Sequence, residues 1–242
     1  MLRRRLILLS ALAAVTLGLG WTLWQRSVTL RLQHPHPVVV RAFPDRIARS
    51  VTGPGLLAAC GWLDDSTRAA ATRAALAKLA SPGQDGPVDL GFGPDDASPE
   101  LPGSASPGSV TLPLQASALL GSADQPLLLL HAFEPGVFAE TSRRRGWLGP
   151  LAAEIAGSAN AVTALVTESA SPAVLKVTLA LEFADGESAE RALRRLTDAQ
   201  GDFGQLGFAA QPGYERIVRR TRLVVIRLDV DANLARSKLR AR

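Results

Sequence analysis

Apolar and polar positions alternate most clearly in the C-terminal half of the chain. Between residues 175 and 183 every second side chain is apolar, and lysine, threonine and glutamate stand among the intervening residues. This period of two predicts a half-buried antiparallel strand, which residues 161–167 are placed to join through the turn at 168–172. Another long strand is predicted from four alternating apolar residues: Val224, Ile226, Leu228 and Val230.

A helical period replaces the alternation after Asp185, the predicted N-cap of a helix whose arginines face solvent. Its apolar positions follow i, i+3, i+4, i+7 spacing: Ala189, Ala192, Leu193 and Leu196. Residues 67–80 predict an alanine-rich helix. Further short strands are predicted at 28–32, 88–92 and 110–114. This order predicts an α+β fold with helices packed on a mixed, mainly antiparallel sheet.

Residues 81–113 contain seven prolines and six glycines, which exclude one continuous helix or strand and predict a loop or linker. The segment separates a first α/β lobe at 27–80 from a second α+β lobe at 114–230, and one large domain is the alternative. Two apolar strands that end in Ala-Phe, at 38–43 and 128–133, leave open that the lobes are related by duplication.

The longest apolar run is Leu6–Trp24, which follows three arginines and carries no charge over 19 residues. As a helix it measures about 28 Å, close to the hydrocarbon thickness of a bilayer. Residues 1–26 therefore predict a transmembrane signal-anchor helix in contact with lipid. The anchoring positions are apolar residues and two indoles near the end: Leu6, Leu9, Leu12, Val15, Leu19, Trp21 and Trp24.

Two alternatives to an uncleaved anchor are a secretory signal with a poor cleavage site at 18–20 and a buried core helix. The arginines before the run favour a cytoplasmic N-terminus, which places the following domain outside the cytoplasm, on the inner (cytoplasmic) membrane. The first predicted strand begins three residues after Gln25, so the tether spans at most about 10 Å. The sequence therefore predicts a domain held close to the bilayer.

The formal net charge of +5 is unevenly distributed along the chain. Residues 27–215 carry 14 basic and 20 acidic side chains, whereas residues 216–242 carry nine basic and two acidic ones. This polarity argues against nucleic-acid binding. The basic tail, 231–242, is interpreted as a solvated end or as a contact with anionic lipid through four side chains: Arg236, Lys238, Arg240 and Arg242.

A second basic cluster combines three consecutive arginines with a tryptophan: Arg143, Arg144, Arg145 and Trp147. It is interpreted either as an exposed interaction site or as a helix-entry turn with a basic rim. The lone cysteine, Cys60, lies in an apolar stretch and is expected to be a small buried residue.

Metal chemistry has one candidate in this chain, because His34 and His36 share a face of an extended segment and His131 ends another predicted strand. The alternative interpretation of the histidine pair is an exposed, proline-stiffened connector. No nucleophile elbow, zinc-helix, Walker or dinucleotide motif is present in the sequence, so no cofactor is expected.

These features predict a single-pass membrane protein whose extracytoplasmic domain is a non-catalytic binding or assembly factor of the cell envelope, with a protein partner. One alternative is a membrane-tethered binder of a lipidic or apolar ligand, with the Pro/Gly-rich segment as a lid. Another is an envelope enzyme of unrecognised type.

Overall fold

The computed structural model describes residues 28–32, 36–50, 86–92, 108–145, 148–169, 174–198, 208–215 and 222–231. The strands are β1 (Thr29–Leu32), β2 (Val38–Ala42), β3 (Val88–Phe92), β4 (Gly108–Thr111), β5 (Pro126–Ala132), β6 (Ala161–Glu168), β7 (Val174–Glu182), β8 (Phe208–Glu215) and β9 (Leu223–Asp231). The helices are α1 (Pro44–Arg49), α2 (Leu114–Gly121), α3 (Pro135–Arg145), α4 (Pro150–Gly157) and α5 (Gly186–Asp198).

Seven of these strands form one sheet in the order β3-β2-β5-β6-β7-β9-β8, and every neighbouring pair is antiparallel. Strands β1 and β4 form a separate two-stranded antiparallel sheet. The predicted α+β class with an antiparallel sheet is therefore confirmed. The hairpin between β6 and β7, predicted from the alternation, is also present, with Val162 opposite Leu181.

One face of the large sheet packs against helices α3, α4 and α5. Alternate residues of the central strands, among them Leu181 and Ile226, are fully buried there beside Ile155 of α4. Helix α5 presents its predicted apolar stripe to this core, with Leu196 fully buried, while its arginines lie outside. Asp185 caps the helix as predicted, because its Oδ1 accepts a hydrogen bond of 2.7 Å from the Ser188 amide.

The opposite face of the large sheet is covered in part by β1, β4 and α2. Its core contains Val39 of β2 and Leu129 of β5, which pack against Leu30 of the small sheet and Ala116 of α2. The alternation of side chains along β2 and β5 therefore divides between two apolar layers. This second layer positions the segment where the described chain begins, at residue 28.

The two Ala-Phe segments, 38–43 and 128–133, lie side by side because β2 pairs with β5. The register is symmetric about the centre of the pair: Val38 lies opposite Ala132, and Ala42 lies opposite Leu128. Each strand is followed by a helix, as expected from the sequence, and then by an antiparallel neighbour on its outer side. The strands assigned to two lobes thus share one sheet, and the division into lobes stays a prediction.

Four elements differ from expectation or were not expected. Residues 88–92 form the predicted strand, but β4 ends at Thr111 and Leu114 begins a helix instead of closing a strand. Pro113 precedes that helix with a fixed φ of −54°, which suits a helix start. Helix α4 and strand β8 were also not predicted.

Some predictions fall on other parts of the chain. The anchor at 1–26, the helix at 67–80, Cys60 and the tail from 232 onward lie outside the described residues. Among the residues that the structure does describe, no helix has the length and apolar character needed to cross a membrane.

Candidate functional site

The candidate site surrounds Val28, the first residue that the structure describes. The Val28 amide donates a hydrogen bond of 3.2 Å to the Ser117 hydroxyl, and the Val28 carbonyl accepts one of 2.9 Å from the Leu112 amide. The Ser117 hydroxyl also lies 3.5 Å from the Leu112 carbonyl oxygen. We call these three residues the Val28 clamp. It joins the start of β1 to α2, which lies 89 residues away in sequence.

A buried ion pair holds Thr29, the residue that follows Val28. Arg41 and Asp89 lie opposite each other on β2 and β3, and the guanidinium binds the carboxylate through two hydrogen bonds of 2.7 and 2.9 Å. The same guanidinium donates a 2.7 Å bond to the Thr29 carbonyl. Only 15 % of the Arg41 side chain and 7 % of that of Asp89 are exposed. Such paired geometry fixes β1 to the large sheet.

His131 of β5 occupies the same sheet face, near one end of its strand. It lies between Val39 of β2 and Thr163 of β6 in the strand register, and its Nδ1 shares a 2.8 Å hydrogen bond with the Thr163 hydroxyl. The imidazole packs edge-to-face on Phe133, with ring centroids 4.5 Å apart. Its Nε2 is buried and has no hydrogen-bond partner among the described residues.

Burial determines the protonation of this histidine. Only 1 % of the residue is exposed, and loss of hydration lowers the pKa of His131 from 6.5 to about 4, because the charged form is the one that desolvation penalises. At neutral pH the ring is therefore neutral. The hydrogen bond to the threonine hydroxyl satisfies one ring nitrogen of the buried, neutral imidazole and orients the ring. This is a structural arrangement.

His36 and His131, which the sequence offered as ligands of one metal ion, do not lie together. His36 lies against Gly91 of β3, where a Cβ would overlap its imidazole ring. Gly91 and His131 flank Val39 from opposite sides, so their backbones are two strand spacings, about 10 Å, apart. The described residues hold no group of three or more His, Cys, Asp or Glu able to bind a metal ion, and His34 lies outside them.

The predicted basic cluster lies at the end of α3, so the three arginines close a helix and do not enter one. Arg143 binds Glu140 at 2.5 Å and Arg144 lies 3.7 Å from the same carboxylate. The side chains of Arg143, Arg144 and Glu140 are about half exposed, which limits the strength of these pairs. The side chain of Arg145, like Trp147, lies outside the described part. The role of the basic cluster as an interaction site stays a prediction.

Sequence reasoning missed the Val28 clamp and the Arg41–Asp89 pair, because both join segments that are far apart in the chain. A weak signal for the clamp was present: Ser117 is a small polar residue between two alanines. The prediction of a strand beginning at residue 28 located one half of the clamp but gave no partner for it.

Comparison with other proteins adds no family to this geometry: no family model, no curated protein and no solved structure matches the chain.

Proposed function

We propose that this chain is a single-pass membrane protein whose α+β domain lies outside the cytoplasm, against the inner membrane, and acts as a non-catalytic binding or assembly factor for an envelope protein. The observation that carries the proposal is the Val28 clamp. It makes residue 28 an integral part of the fold, only four residues after the end of the apolar run at Trp24.

The distance supports a domain held directly at the membrane. From Trp24 to Val28 the chain spans at most about 14 Å, even when fully extended. The clamp and the Arg41 bond to Thr29 hold the domain end of this connection by hydrogen bonds to three residues, Leu112, Ser117 and Arg41. A firm attachment supports a protein that works on neighbours in or near the same membrane.

The use of polar side chains supports binding over catalysis. Asp89 neutralises Arg41, Ser117 fixes Val28 and Thr163 orients His131, so each of these groups has a structural contact. The low pKa of His131 also makes it a poor proton acceptor near neutral pH. These groups thus serve to hold segments of the fold together.

Membrane insertion is tested with alkaline extraction of membranes that contain the full chain with a C-terminal tag. An arginine at the centre of a membrane helix costs about 3 kcal/mol, comparable to the whole gain expected from the apolar run, so Leu12→Arg should release the protein. Leu12→Ala is the matched control and should remain in the membrane. Release of the unsubstituted protein would overturn the anchor.

Orientation and partner binding need two further measurements. Protease added to intact spheroplasts should remove the C-terminal tag, and protection of the tag until lysis would place the domain in the cytoplasm and contradict the proposal. Photo-crosslinking in native membranes from Arg143 should then give a discrete adduct with a protein. Labelling of lipid alone from that position would favour the ligand-binding alternative.

A further inference from the structure

The outer surface of α2 has no ionisable side chain. The helix consists of Leu, Gln, Ala, Ser and Gly, and no charged residue occurs between Glu100 and Asp124. The residues that turn away from the core include Leu114, Gln115 and Ala118, all of which are exposed. We call these three residues the α2 outer face. A neutral helix face in contact with water is unusual, since surface helices normally carry charges there.

Leu114 is the most exposed large apolar side chain among the described residues, with 56 % of its surface accessible; Phe133 follows with 37 %. The ring of Phe133 has a partner in His131, whereas Leu114 projects from the first turn of a helix whose buried residues are Ala116 and Ser117. The α2 outer face therefore offers no charge of its own that would oppose contact with an apolar phase.

The position of Leu114 identifies that phase. Leu112 and Ser117, the two partners of Val28 in the clamp, flank Leu114 in sequence and lie within about one helical turn of it. The α2 outer face is therefore next to the point from which the chain leads to Trp24. Because that connection spans at most about 14 Å, the face stays close to the bilayer surface.

We infer that the α2 outer face rests on the lipid bilayer, with Leu114 inserted among the headgroups beside the anchor. The inference rests on the proposed membrane anchor and adds a second contact between the protein and the membrane. Because the face carries no charge, the contact made by Leu114 does not require anionic lipid. It fixes the rotation of the domain about its tether, so the helix-covered side of the sheet is free for a partner.

The test uses the full chain in nanodiscs of phosphatidylcholine, with Cys60→Ala and one introduced cysteine carrying a nitroxide. Collisions of the label with oxygen, which concentrates in lipid, are compared with collisions with a water-soluble nickel complex. Leu114→Cys is the test position. Thr197→Cys, exposed on α5 at the opposite face of the sheet, is the matched control. Ala118→Cys provides a second position on the α2 outer face.

We expect the ratio of oxygen to nickel collisions to be several-fold higher at position 114 than at position 197, with an intermediate value at 118, and to be the same at low and high salt. Equal ratios in a protein that remains in the nanodiscs would overturn the inference and leave the anchor intact. Failure of the chain to enter nanodiscs would overturn both.

Two other results would contradict the bilayer as the occupant of this face. Spin–spin broadening at position 114 would show that a second copy of the chain covers it. A ratio that falls at high salt would indicate an electrostatic contact, such as one made by the basic tail. Circular dichroism of each variant verifies folding, and agreement between positions 114 and 118 excludes an effect of one substitution.

Discussion

The buried imidazole of His131 makes the stability of the fold depend on pH in a defined direction. Its pKa is lowered from 6.5 to about 4 in the folded protein, so folding disfavours the charged ring. The stabilising contribution is fully present above the unfolded pKa of 6.5. It is lost as the pH falls from there toward 4, because the unfolded chain then binds a proton that the folded chain does not.

The size of the effect follows from the shift. Each pKa unit corresponds to about 1.4 kcal/mol, so the full shift is equivalent to about 3 kcal/mol of the free energy of unfolding. About 2 kcal/mol of this is lost between about pH 7 and about pH 5. This loss is a large part of the free energy of unfolding of a typical domain, which is about 5–15 kcal/mol. Carboxylates also titrate toward the acid end of this range, so a reference protein is needed.

The reference is His131→Asn, whose amide keeps a polar group near Thr163 but does not titrate. Urea unfolding of both full-length proteins in detergent micelles gives the free energy of unfolding at each pH. The stability of the original protein relative to the variant should fall by about 2 kcal/mol between about pH 7 and about pH 5 and stay constant at higher pH. A difference that does not change over this range, or an NMR titration of His131 with its midpoint near 6.5, would refute the reasoning.

Three further predictions concern single contacts. Asp89→Ala leaves the Arg41 guanidinium buried without its carboxylate and should cost about 3 kcal/mol in urea unfolding, whereas a cost below about 1 kcal/mol would show that the pair behaves like an exposed one. Gly91→Ala forces a methyl group into the His36 ring and should cost about 1–3 kcal/mol; a His36→Ala background should remove most of that cost, and equal costs in both backgrounds would contradict the contact. Asp185→Ala removes a helix cap and should lower the thermal midpoint at neutral pH, with Asp185→Ser restoring most of it. Hydrogen bonds from the first turn of the helix lower the pKa of Asp185 below its ordinary 3.8. The difference in thermal midpoint between the original protein and Asp185→Ala should therefore disappear as the pH falls through the lowered pKa. A difference that persists in strong acid would refute the assignment of Asp185 as a charged helix cap.

Much of the large sheet and its strongest helix could be predicted from local patterns. The alternation in β7, the helical spacing in α5 and the cap at Asp185 each depend on neighbours within a few residues, and each was found as expected. Helix α2 was not predicted, because a short run of leucine and alanine after a proline fits a buried strand as well as a helix. As a helix it packs Ala116 into the core formed with Leu30, Val39 and Leu129.

The candidate site was predictable only in part. The tether length expected for a membrane anchor followed from the position of the first strand, but the Val28 clamp depends on Ser117, which no local pattern connects to residue 28. His131 was considered as a metal ligand from its place at a strand end. The structure instead buries it against Thr163, because β6 returns beside β5 after two helices.

By itself the sequence determined the α+β class, the faces of the amphipathic elements and the expectation of an apolar anchor at 6–24, because each depends on the chemistry of residues close together in the chain. Only the tertiary structure decided the strand order, the central pairing of β2 with β5 and the enclosure of His131. It also placed the uncharged helix α2 beside Val28. These features require contacts between segments that are distant in the sequence. The free energy of those contacts comes from burying apolar surface, which does not depend on how far apart the residues are in the chain.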